Sequence, residues 1–72
     1  MKIDKIVAKI NRSCEPFDID DLREIFTASN SFEGLNLLKH SNDPDDIPID
    51  VIDSALYDLG YMADDEGTYR KL

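Results

Sequence analysis

The chain has 72 residues, of which 42% are hydrophobic and 33% charged, and its net charge is −8. That balance suits one small folded domain, residues 1–72, with a single core, and argues against a disordered tail. No apolar run approaches the roughly 20 residues needed to cross a bilayer, and the lone cysteine, Cys14, rules out an internal disulfide.

The charge is unevenly placed. Residues 1–12 carry Lys2, Lys5, Lys9 and Arg12 against one acid, Asp4, whereas nine acids and no lysine or arginine lie between His40 and Tyr69. DNA affinity comes largely from cations that displace counterions from phosphates, so a duplex would be repelled over most of this surface. Solubility is the ordinary competing explanation for such acidity.

In "MKIDKIVAKINR" the charges are interspersed, which does not read as a signal peptide, and a cytoplasmic protein is expected. Ile3, Ile6, Val7 and Ile10 recur at the spacing of one buried helix face, and Lys2, Lys5, Lys9 and Arg12 gather on another. That basic stripe reads first as a solvated face and second as a docking face for an acidic partner or a sister subunit. Pro16 breaks the pattern, and "PFDI" (16–19) is expected as a short extended segment with Phe17 and Ile19 on one side. Asp18 or Asp20 then caps a second helix whose apolar face is Ile19, Leu22, Ile25 and Phe26.

"TASNS" (27–31) reads as a break, followed by a third helix over 32–41 that buries Phe32, Leu35 and Leu38. Lys39 and His40 fall in its last turn, where the helix dipole favours cations, and Gly34 weakens it intrinsically. "NDPDDIP" (42–48) is a loop. Pro48 suits the first turn of a fourth helix with Ile49, Ile52, Ala55, Leu56 and Leu59 as its core face. Gly60 fits the left-handed position after a helix end, and "YMA" (61–63) pairs with "TYRKL" (68–72) as a hairpin around "DDEG". The fold class expected is mainly α with a small C-terminal β-hairpin (α+β), built on three to four helices.

Residues 16–72 resemble a winged helix-turn-helix domain. "FDIDDLREIF" looks like a strand leading into the second helix, and "IPIDVIDSALYDLGYMADDEGTYRKL" like a recognition helix followed by a wing. The resemblance implies that the exposed face of the fourth helix meets a target. Here that face is Asp50, Asp53, Ser54 and Tyr57, with Asp58 beside it. Carboxylates accept a hydrogen bond from cytosine but are repelled by the flanking phosphates. Only Arg70 and Lys71 lie where a wing would touch a backbone, so direct nucleic-acid binding is disfavoured by sign.

No catalytic constellation emerges, and no enzyme activity is expected. His40 beside Ser41 reads as a surface histidine at a helix end. Cys14 is expected to be partly buried against the second helix, and its neighbour Glu15 disfavours a thiolate. "DPDD" (43–46) and "DDEG" (64–67) cluster carboxylates without the spacing of a calcium loop, one thiol and one imidazole do not make a zinc site, and the three isolated glycines form no phosphate cradle. No metal or cofactor is expected.

Surface recognition remains. The candidate partner-binding residues are Asp50, Asp53, Tyr57, Asp58, Asp64, Asp65 and Glu66, with Lys2, Lys5, Lys9 and Arg12 as a secondary basic face. Tyr57 is the expected anchor for arginine or lysine, while Tyr61 is expected on the core. In size and charge the chain resembles small acidic inhibitors encoded by phages and mobile elements, including anti-CRISPR and anti-restriction proteins. That likeness implies stoichiometric occupation of a basic groove by rows of carboxylates that imitate phosphates. Two further expectations are a winged-helix transcription regulator that binds DNA as a dimer through the first helix, and a winged-helix accessory domain for protein assembly.

Overall fold

Helix capping, glycine conformation and apolar spacing set the element boundaries in the computed structural model, which describes residues 2–13 and 17–72. The order is α1 (Lys2–Ser13), α2 (Ile19–Ser29), α3 (Phe32–His40), a single 3-10 turn (Pro44–Asp46), α4 (Ile49–Asp58), β1 (Tyr61–Ala63) and β2 (Tyr69–Lys71). This is mainly α with a small C-terminal antiparallel hairpin, as expected. None of the described helices is long and apolar enough to cross a membrane.

One apolar cluster joins the elements. Leu22, Ile25 and Phe26 of α2 are fully buried, as is Leu56 of α4, and Ile3, Ile6 and Val7 of α1 close over them. α2 packs against α1, α3 and α4, and α4 carries the hairpin through its contacts with β1. Tyr61 and Tyr69 anchor the two strands in the same core, so the hairpin is held by packing as well as by its ladder. Cys14 lies outside the described residues.

Asp18 caps α2 by accepting the Asp21 N–H at 2.8 Å. Of the extended segment expected over 16–19, Asp18 has extended backbone (φ −89°, ψ 172°), but α2 already begins at Ile19 and residues 17–18 pair with no strand. The reason lies on β2. The Asn11 side chain donates to the Tyr69 carbonyl at 2.7 Å and accepts the Tyr69 N–H at 2.9 Å, so a side-chain amide makes the bonds that a third strand would make there. Phe17 contributes its ring instead, 6.0 Å from that of Tyr69.

The break expected over 27–31 is shorter than its composition suggests. α2 runs to Ser29 and the chain reverses at Asn30, whose φ of 57° is the left-handed cap conformation. Ser31 then caps α3 through the Gly34 N–H at 3.2 Å. Gly34 itself sets how α3 meets α2. A Cβ at this position would lie 2.5 Å from the Phe26 ring, so only glycine permits the approach. The contact turns Gly34 and Leu38 inward and overturns the expectation for Phe32, which sits on the far side of the helix and is 84% exposed.

On α4 the core face is also shifted. Val51, Ile52, Ala55 and Leu56 are buried, while Ile49, expected inside, lies in the first turn at the margin of that arc and is 58% exposed. Gly60 takes φ +95° just past the helix and launches β1. The strands pair Tyr61 with Lys71, Met62 with Arg70 and Ala63 with Tyr69. The turn closes with Gly67 N–H on the Asp64 carbonyl and Asp64 N–H on the Thr68 carbonyl, both at 2.9 Å, and Gly67 at φ +82° supplies the left-handed residue of a three-residue hairpin loop.

Candidate functional site

α4 presents two opposed faces. Its buried residues face α2, and Asp50, Ser54, Tyr57 and Asp58 are exposed on the other side, as the helical spacing predicts. β1 leaves the C-terminal end of α4 and turns back beside this outer face. Between the two runs a groove of about 380 Å³ lined by Asp53, Ser54, Tyr57 and Asp58 of α4 and by Tyr61, Met62 and Ala63 of the hairpin. Tyr57 is 58% and Met62 54% exposed, so an aromatic ring and a thioether flank the carboxylates and are open to contact. Tyr61 is buried at the core, as expected.

The seven candidate residues divide into three groups. Asp50 and Asp58 are exposed, and among the described residues no ion pair engages them. Asp53 is half-buried and accepts a short hydrogen bond from the Tyr69 hydroxyl. Burial, reinforced by that bond and by the nearby charge of Asp53, pushes the Tyr69 hydroxyl well above the usual phenol range. Asp53 therefore ties α4 to β2 and offers a partner only part of its carboxylate.

Asp64 belongs to the turn. Its carboxylate accepts the Glu66 N–H at 2.9 Å, the Thr68 N–H at 3.0 Å and the Arg70 Nε–H at 2.9 Å. The Arg70 hydrogen bond, then those backbone donors, hold its pKa below the ordinary carboxylate value. An aspartate opening a turn with glycine three residues on is a sequence signature of this role. Asp65 and Glu66 are exposed at the turn. Glu66 faces away from the α4 groove, onto a second groove of about 700 Å³ whose walls include Asp45, Ile47, Ile49 and Thr68. Glu66 and the α4 acids Asp53 and Asp58 therefore line different grooves.

The basic face of α1 is partly occupied from within. Lys2 Nζ lies 3.1 Å from Glu24, and Lys9 Nζ lies 3.3 Å from Asp21 and 3.5 Å from Asp18. The hydrogen bond to Asp21 is the largest reason that the Lys9 pKa is raised. Asp18 moves the opposite way, lowered first by the backbone N–H of Asp21 that it caps. Lys5 and Arg12 are exposed, and no described ion pair holds them.

His40 is exposed at the end of α3. The carboxylates of the 43–46 loop work locally: Asp43 caps the 3-10 turn through the Asp45 N–H at 3.0 Å, and Asp46 accepts the Ser41 hydroxyl at 2.7 Å. Among the described residues no group of three or more histidine, cysteine, aspartate or glutamate side chains is arranged to hold a metal ion. The roles of Asn11 as a strand substitute and Asp53 as a tyrosine acceptor carry no local sequence signal, because their partners are 58 and 16 residues away.

Comparison with family models, with curated proteins and with solved structures finds no match for this chain.

Proposed function

We propose that the chain is a small acidic protein-binding module that engages a basic nucleic-acid-binding protein or complex, as a stoichiometric inhibitor or adaptor. The observation that carries this reading is the outer face of α4, where Asp50 and Asp58 are exposed and unpaired among the described residues on either side of an open Tyr57. Carboxylates left out of the fold's own ion pairs attract cations at long range, and a ring among them gives an arginine or lysine a surface to stack on. The order of three packed helices followed by a hairpin supports a winged-helix-like scaffold, used here with inverted charge. The setting proposed is the cytoplasm, that of the host if the chain is phage-encoded, with inhibition by nucleic-acid mimicry as the sharpest version.

The test begins with identification of the protein captured from the native host, followed by its affinity for the wild-type chain and for Asp50→Lys/Asp58→Lys. Asp53 is left in place because it holds Tyr69. The reading expects steep weakening with salt and a loss of a hundredfold or more in the double variant, on the order of two strong charge contacts. Unchanged affinity in that variant contradicts it. Retention of random-sequence duplex DNA at low salt, lost on reversal of Lys5 and Arg12, would favour the dimeric DNA-binding regulator instead.

A further inference from the structure

The two edges of the hairpin are not equivalent. In an antiparallel ladder, alternate residue pairs exchange both backbone hydrogen bonds, and the pairs between them point their N–H and C=O groups outward. Here Leu72 N–H bonds the Gly60 carbonyl at 2.7 Å and Asp64 N–H bonds the Thr68 carbonyl at 2.9 Å. The register then places the Met62–Arg70 pair in bonding phase and turns the backbone groups of Tyr61, Ala63, Tyr69 and Lys71 outward. On β2 the outward groups of Tyr69 are both taken by Asn11. On β1 no described hydrogen bond reaches the outward groups of Tyr61 or Ala63.

That open edge lines the groove beside α4. Unpaired strand edges are templates for another chain, and main-chain bonds to such an edge give affinity while neighbouring pockets select alternate side chains. We propose that β1 takes up an extended, lysine- or arginine-containing segment of the partner as a third strand, through the N–H and C=O groups of Tyr61 and Ala63. This rests on the reading of the same groove as an acidic docking site. The charge around the edge fixes the occupant: Asp58 is unpaired among the described residues, Asp53 is part-free, and no cation lines the groove. Tyr57 and Met62 flank the added strand and cover the stem of its basic side chain. On β2 Asn11 takes the outward groups of Tyr69 and leaves only those of Lys71, so β1 is the edge with two successive open positions.

The probe is a short, end-blocked peptide of alternating lysine and valine, titrated into the full chain with backbone amides followed by NMR. The expected result is shifted resonances and slowed hydrogen exchange at Tyr61 and Ala63, with Met62 protection unchanged because its amide already bonds within the hairpin. N-methylation of every peptide amide keeps the charge, removes the donors and weakens binding about tenfold or more. Ala63→Pro, which deletes an outward N–H and leaves the β1–β2 ladder intact, weakens it similarly. Equal affinity for the methylated and parent peptides, or no added protection at Tyr61 and Ala63, overturns strand addition. If that methylation-insensitive binding still collapses at high salt, the acidic docking reading survives alone. Methylation-sensitive binding that ignores salt would leave strand addition and remove the acidic reading.

Discussion

α1 and α4 are both amphipathic helices with charge on the outer face, and they use it differently. On α1 two of the four cations turn toward α2 and pair with Glu24, Asp18 and Asp21. On α4 only Asp53 is drawn into the fold, by Tyr69, while Asp50 and Asp58 remain in solvent. Charge on the first helix helps place it on the core, whereas charge on the fourth contributes little to the fold. The contrast matters because exposed ion pairs contribute about 0–1 kcal/mol each, so neither set decides stability. Packing does.

The largest effects are therefore expected from substitutions in the core. Phe26→Ala, at a fully buried ring, is expected to lose about 3–5 kcal/mol, enough to unfold much of a domain this small, read from the denaturant midpoint. Gly34→Ala follows at about 1–3 kcal/mol, because a Cβ 2.5 Å from that ring forces α3 away from α2. Asn11→Ala removes both bonds to the Tyr69 backbone, an expected loss of about 1–2 kcal/mol by chemical denaturation, and exposes the β2 edge.

The acid limb of the pH–stability curve sharpens the contrast between cap and surface. Asp18 and Asp64 have native pKa values below the ordinary 3.8. Their contribution is fully present above that value and disappears as pH falls through the lower native values. Asp18→Ala and Asp64→Ala should flatten that limb. Lys9 and Tyr69 are raised, so their contributions hold below their ordinary pKa values, 10.5 and 10.0, and fade as pH rises beyond them. The smallest effect is expected for Asp50→Lys/Asp58→Lys, within about 0.5 kcal/mol of wild type, since neither side chain contacts a described ion-pair partner.

Periodicity and capping made the helices legible in the sequence. Ile3, Ile6 and Val7, then Leu22, Ile25 and Phe26, announced their buried faces, and Asp18, Gly60 and Gly67 marked a cap, a helix exit and a turn. Periodicity failed where a long-range contact rotated an element. Gly34 meeting Phe26 turned Phe32 outward, and Val51 took the place expected of Ile49. The extended backbone expected at 16–19 is present at Asp18 but joins no sheet, and the outward groups of Tyr69 on β2 are bonded by Asn11 from another helix instead.

Of the candidate site, the outward face of α4 was readable from spacing alone. The removal of Asp64 into the turn follows from its aspartate-to-glycine spacing, whereas the tie between Asp53 and Tyr69 needs the tertiary fold. What the sequence could not supply was the groove, because it arises only when β1 turns back beside α4.

The most direct measurement is the affinity of the captured partner for wild-type and Asp50→Lys/Asp58→Lys chains, titrated between about 50 mM and 500 mM salt. A steep decline is expected for the wild type, and loss of binding, with the fold intact, for the variant. Binding that is flat across salt and indifferent to the two reversals would contradict it.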